Sequence, residues 1–412
     1  MKKKSGHKNL DEIIKKDVVA VFVIMALMSL FHITNTLILA RNLSKPQMGL
    51  FRMVLTLAQF IFVISLLGMD ASFIRFFSRK PPAGYRWRPY LGKVLFFCAI
   101  PALILAFTAG SFYDLRGWYI FYLIAAILLS MANRLFTSLL KAKKYFAKAT
   151  FLERSSSIFF FIFLMIFVAG KGIYLNRVFV AYIVSALLAV ALIIFFAFRF
   201  LPSGKKPLPR HLASNGFIFF GILVTTIAML NSSQLFIAKM VSYKALAVYT
   251  VILSVMRIFE LSMNALYHVF VPSFNNDRPL EAKRTIIFLL LIAFAIGAFY
   301  FVLGKPLIHF LFKGKYDEGI SLVPFFIGLG IMRILYIFPA SIAAGRAKGK
   351  ILRRFFYFNC LAAVCGLFIH YFFIMKWQLE GAALATGLTW ALAVFLSFIA
   401  VKDEIFKKRP AQ

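Results

Sequence analysis

Charge is scarce in this 412-residue sequence, and negative charge is scarcest: 15% of residues are charged, with 14 acidic against 48 basic. A soluble domain carries about 25% charged and 45–50% apolar residues. Here the apolar fraction is 62% and the aromatic fraction 17%, so lipid must be the solvent for most of the chain. Cysteine is also sparse. Cys98, Cys360 and Cys365 all fall inside apolar runs, which excludes a disulfide framework and any zinc-ligand spacing. His32, His268 and His370 are isolated, so no metal site is expected. There is no Gly-rich phosphate loop and no nucleophile beside a base, which argues against an enzyme.

The net charge of +34 is not gathered on one domain. Lysines and arginines stand in short clusters between apolar runs, which excludes nucleic acid as a partner. The N-terminus, Met1 to Asp17, is basic and polar, and Val18 to Ala40 follows as one apolar run. That run exceeds a signal-peptide core of about 7–15 residues and lacks a cleavage site, so it reads as a retained first span.

Hydropathy places spans near residues 18–40, 48–68, 91–112, 118–140, 151–170 and 177–200. A second set follows near 214–238, 245–270, 284–304, 319–344, 354–375 and 380–401. Twelve spans put both termini on one side. With that alternation, 33 basic residues fall in loops on the N-terminal side and 11 in loops on the other. The cytoplasmic side carries the excess. The expectation is a multi-pass protein of the cytoplasmic membrane with both termini in the cytoplasm.

An internal repeat appears at a shift near 200 residues. LARNLSKPQMGLFRMVL (Leu39 to Leu55) aligns with IAKMVSYKALAVYTVIL (Ile237 to Leu253), pairing Ser44 with Ser242 and Gly49 with Ala247. LKAKK (Leu140 to Lys144) aligns with GRAKG (Gly345 to Gly349), and SALLAVAL (Ser185 to Leu192) with TWALAVFL (Thr389 to Leu396). Six spans per half give halves of the same orientation, related by a pseudo-twofold axis along the membrane normal. The expected organisation is a six-helix lobe over 1–200, a Pro-rich basic cytoplasmic linker over 201–213, and a second six-helix lobe over 214–412. Two such bundles suit alternating-access transport.

LARNLSKPQMGLF, followed by a span and then LLGMDASFIRFFS (Leu66 to Ser78), resembles the start of bacterial polysaccharide transporters. LAVYTVILSVMR, VFVPSF, HFLFKGKYDEG, AAGRAKGK and EGAALATGLTWAL continue the resemblance through the second half. These transporters belong to the multidrug/oligosaccharidyl-lipid/polysaccharide (MOP) flippase superfamily, with O-antigen flippases the nearest kin. The resemblance implies an all-α, V-shaped, two-lobe membrane protein that flips polyprenyl-pyrophosphate-linked oligosaccharide. It also implies membrane lipids as surroundings and a polysaccharide polymerase or assembly complex as a candidate partner. No cofactor is expected, with energy drawn from a Na+ or H+ gradient or from the membrane potential. A drug exporter of the same superfamily is the main alternative, and a membrane enzyme of polysaccharide assembly a weaker one.

Four basic residues remain inside spans: Arg52, Arg134, Arg257 and Arg333. A charge at the bilayer centre costs about 2.5–3.5 kcal/mol on insertion scales, so it faces a partner or a wet cavity. Arginine binds phosphate oxygens through a planar fork, which makes these four the candidate pyrophosphate site. The bland reading differs for each. Arg257 and Glu260 at i and i+3 can neutralise each other, Arg52 can snorkel outward and Arg134 can reach headgroups, while Arg333 has no local partner. Glu260 and Asp70 are the carboxylates that suit ion coupling, although Asp70 can also pair with Arg75. Asn35, Asn231, Ser233 and Gln234 are polar positions on repeat-related spans, near Tyr249 and Tyr267 in sequence. They suit a cavity lining for sugar hydroxyls, or else hydrogen bonds between helices.

Overall fold

The serine pair picked out by the repeat marks two helix starts. Ser44 and Gln47 form a reciprocal cap: the Gln47 N–H lies 3.4 Å from Ser44 Oγ, and the Ser44 N–H lies 3.1 Å from Gln47 Oε1. Ser242 caps its own helix, its Oγ accepting from the Ala245 N–H at 3.1 Å. The computed structural model describes residues 4–79, 84–143, 145–170, 172–201, 203–206, 217–274, 282–345 and 349–405. Most of the expected linker 201–213, together with Arg346 to Lys348 of the repeat signal, lies outside the described residues.

Among the described residues the secondary structure is helical apart from one isolated bridge between Tyr85 and Lys206. The helices are α1 (Lys4–Asn42), α2 (Lys45–Leu66), α3 (Met69–Arg79), α4 (Trp87–Phe112), α5 (Trp118–Ala142), α6 (Phe146–Arg154) and α7 (Ser156–Ala169). They continue with α8 (Leu175–Phe200), α9 (Phe217–Met240), α10 (Tyr243–Val255), α11 (Arg257–Phe274), α12 (Ala282–Phe312), α13 (Val323–Gly345) and α14 (Gly349–Ile405). Ten of the resulting segments are long and apolar enough to cross a membrane, or eleven when the bent pair α10–α11 counts as one span.

The expectation of twelve spans meets its difference in α14. There the two last expected spans form one helical run, whose backbone leaves helical geometry at Trp377 (φ −126°) and Gln378 (φ 45°). A side chain on Gly381 would sit 2.0 Å from the Phe373 carbonyl oxygen, and one on Gly366 would sit 2.5 Å from Thr389 Cγ2. Residues 366 and 389, and 373 and 381, therefore face one another, so α14 is an antiparallel hairpin of two arms.

The chain forms two compact units. The first comprises Met1–Asn35 and Ile61–Phe220; the second comprises Thr36–Phe60 and Gly221–Gln412. The second unit thus includes most of α2. Gly49 makes this docking close, because a Cβ at that position would lie 1.7 Å from the Tyr243 carbonyl oxygen at the start of α10. Lys315 adds to it by donating to the carbonyls of Ala40 (2.8 Å) and Leu43 (2.5 Å). Arg41 Nε donates to the Leu311 carbonyl at 2.7 Å, and Lys45 pairs with Glu318 at 2.7 Å.

Candidate functional site: embedded arginines in two settings

In the first unit, Leu67 (φ 48°) and Gly68 (φ 72°) adopt left-handed backbone and turn the chain from α2 into α3. Asp70 follows in the first turn of α3, where a carboxylate suits the helix dipole. Its partner is Arg134 of α5, Nε to Oδ2 2.8 Å; the side chain of the expected Arg75 lies outside the described residues. Arg134 Nη1 also meets Glu153 of α6 at 3.0 Å, and Lys141 completes the group on the other oxygen of Glu153. The Asp70 side chain is only 4% exposed. Two cations and two carboxylates therefore neutralise one another here, which makes Arg134 a structural residue first. Glu153 was missed by sequence reasoning because it stands beside Arg154 in a basic stretch. The signal was its rarity, as one of 14 acidic residues in the chain.

The second unit treats its arginines differently. The span formed by α10 and α11 is bent by 52° at Met256. A break inside lipid frees backbone groups that need partners. The Val255 carbonyl finds one in Tyr300, whose hydroxyl donates to it at 2.6 Å. Arg257 is the first residue after the break, and its Nε lies 4.0 Å from Glu260 Oε2. Gly330 of α13 packs so closely on α11 that a Cβ there would lie 2.4 Å from the Phe259 ring. Arg333, one turn on, shares that face of α13. It lies within electrostatic reach of Glu260 and Tyr249, and its guanidinium sits 5.6 Å from the Trp390 ring centroid. Its Nε is buried with no hydrogen-bond partner among the described residues.

Arg52 is placed apart from this group. It donates to Thr36 Oγ1 at 2.5 Å, and its charge is felt by Tyr316. Outside the spans, burial holds the Tyr316 hydroxyl up to about 12, with Arg52 acting in the other direction. Burial and the nearby Lys45 charge push the Lys315 ammonium below its ordinary value.

The expected cavity-lining residues separate in the same way. Asn35 donates to the Ser157 carbonyl at 2.9 Å. Gln234 accepts from Thr56 at 2.8 Å and lies 3.4 Å from Asn231 Oδ1. Ser233, 1% exposed, contacts Thr386 and the Ala382 carbonyl, so helix–helix hydrogen bonding accounts for it. Tyr249, also 1% exposed, is a core residue bonded to Thr386.

The fold is similar to that of several solved transporters, among them members of the MOP superfamily. It matches the lipid II flippase MurJ in an inward closed conformation with a TM-score of 0.69 and 14% identity, over 93% of this chain and 87% of that one. It matches an inward-facing multidrug resistance MATE family transporter at 0.66 and 14%, over 96% and 100%. An outward-facing MATE family transporter gives 0.62 and 15%, over 95% of each chain. Nothing matches among curated proteins. Residues 14–276 match the family described as polysaccharide biosynthesis protein, and the chain belongs to that family. Its long apolar helices fit a membrane-embedded member of that family.

Proposed function

We propose that this protein flips a polyprenyl-pyrophosphate-linked oligosaccharide, a repeat unit of O-antigen, capsule or exopolysaccharide, across the cytoplasmic membrane. In this reading both termini face the cytoplasm, and transport proceeds by alternating access without a catalytic step. The supporting observation is Arg333, an embedded guanidinium with a buried N–H that has no acceptor among the described residues. A pyrophosphate oxygen would supply that acceptor, and charge-assisted bonds of this kind are the strong ones. Arg257, at the start of a helix opening within the span, would bring a second positive charge at the positive end of that helix's dipole. Arg52 and Arg134, already bonded elsewhere, take secondary roles.

The MATE neighbours favour a second reading, export of a drug or other amphiphile, with Glu260 as the acid that draws a cation. The surplus of embedded arginine over carboxylate in the second unit weighs against it. Family membership and the lipid II flippase likeness favour a lipid-linked glycan passed on to a polymerase or assembly complex. Glycan display in a strain dependent on this protein tests the reading. Arg333→Ala and Arg257→Ala should each abolish display at normal protein level, and normal display in both variants would refute the pyrophosphate site.

A further inference from the structure

One ionisable group in the second unit has no part in the anion site. His370, on the first arm of α14, is 0% exposed. The close approach at Gly366 brings the second arm alongside it. Its Nδ1 lies 2.6 Å from the Gly366 carbonyl oxygen, so this nitrogen carries a hydrogen and donates it. Its Nε2 lies 3.4 Å from Thr386 Oγ1. The Thr386 hydroxyl also meets Ser233 of α9, the Tyr249 hydroxyl of α10 at 3.0 Å, and the Ala382 carbonyl at 2.8 Å. Ser233 reaches the same carbonyl at 3.3 Å.

Counting hydrogens in this cluster gives two complete arrangements. With His370 neutral, the Thr386 O–H donates to Nε2, and the Tyr249 and Ser233 hydroxyls donate to the two lone pairs of Thr386. With a proton from water added to Nε2, the new N–H donates to Thr386. The Thr386 and Ser233 hydroxyls then turn to the Ala382 carbonyl, and Tyr249 fills the remaining lone pair of Thr386. Every donor has an acceptor in both states; in the second, Ser233 and Thr386 draw apart slightly, because no hydrogen then lies between their oxygens.

We propose that His370 is a proton-binding site whose two states are exchanged by the Thr386 hydroxyl. Among the described residues, the groups facing it are Phe236 of α9, its ring 6.4 Å away and nearly parallel, Thr386 and the Gly366 carbonyl of its own hairpin, and, through Thr386, Ser233 of α9, Tyr249 of α10 and the Ala382 carbonyl. None of these is a carboxylate. Arg333 of α13 acts electrostatically on Tyr249, whose hydroxyl bonds Thr386. A proton on His370 and an anion on Arg333 therefore favour one another, and the effect is reciprocal. This link to transport rests on the pyrophosphate reading above; the proton site does not.

The test is NMR of the full chain, 15N-labelled at histidine in lipid nanodiscs, from pH 8 to pH 4. The His370 signal is assigned by its loss in His370→Gln. The expected result is conversion of His370 to the imidazolium form as pH falls. At pH 5 the imidazolium fraction should be at least fivefold lower in Thr386→Val and unchanged in Thr386→Ser. A His370 that stays one neutral tautomer to pH 4 in protein that remains helical by circular dichroism overturns the proposal. So does a Thr386→Val variant that titrates like the wild type. Inorganic pyrophosphate at pH 5 should raise the imidazolium fraction in wild type and not in Arg333→Ala. If pyrophosphate has no effect while the Thr386 dependence holds, the proton site stands and the pyrophosphate reading fails.

Discussion

Arg134 and Arg333 are indistinguishable in a hydropathy plot, each a lone cation in an apolar span. The first unit surrounds Arg134 with Asp70 and Glu153 and adds Lys141 to balance the charge. The second unit gives Arg333 an aromatic face, a carboxylate at a distance and one N–H without an acceptor among the described residues. Desolvating a charge is tolerated when partners replace its water. A site that supplies only some of those partners has capacity left for a ligand. The same residue type is therefore structural in one unit and available in the other.

The largest expected effect follows from breaking the satisfied arginine. Arg134→Met leaves Asp70, 4% exposed, without its cation. It should cost about 3 kcal/mol, the low end for breaking a buried pair because the arginine side chain is partly exposed. Thermal unfolding of purified protein measures this, and a loss as small as that of Arg333→Ala would erase the distinction between the two residues. Arg333→Ala comes next. Its unfolding temperature should hold or rise, while binding of a short polyprenyl pyrophosphate weakens at least tenfold, the loss of a charge-assisted bond worth about 1.5–3 kcal/mol.

A smaller effect is expected from the Arg257–Glu260 pair, 4.0 Å apart with the Glu260 side chain 37% exposed. Glu260→Gln should change stability by under about 0.5 kcal/mol, as for other i,i+3 pairs. A larger destabilisation would mean that Glu260 is the counter-ion Arg333 depends on. The smallest effect concerns Tyr316, near Arg52. Its hydroxyl is held up to about 12, so between pH 10 and 12 the folded state keeps a proton that the unfolded state loses. Stability must fall as pH rises through that window. Tyr316→Phe, which removes a buried hydroxyl lacking a partner among the described residues, should be neutral at pH 7. It should also flatten the alkaline fall, as read by denaturant unfolding at pH 8 and 11.

Much of the architecture was legible because lipid imposes a simple rule, long apolar runs with basic clusters between them. Ser44 and Ser242 were visible as repeat-related positions, though not as helix caps. The break at Met256 was not, since nothing local marks it; the freed Val255 carbonyl is satisfied by Tyr300, 45 residues away. Long-range pairing likewise hid the Asp70–Arg134–Glu153 network, where a sequence-local partner for Asp70, Arg75, stood closer along the chain. His370 looked isolated for the same reason. Its partner Thr386 bonds Ser233 and Tyr249 in turn, and these come from three separate stretches that meet only when the α14 hairpin closes on α9 and α10.

The assignment of residues 36–60 to the unit completed by residues 221–412 has a consequence for how the protein is made. About 160 residues separate the end of that segment from the start of its partners; at 5–20 residues per second, the interval lasts roughly 10–30 s. During that time α2 is already synthesised and Arg52 has Thr36 of α1, but Gln234 of α9, α10 and the 311–318 segment are still to come. The groups that await those partners must be sheltered meanwhile. Slowed translation between residues 60 and 221 should then lower the yield of folded protein more than the same slowing placed after residue 221.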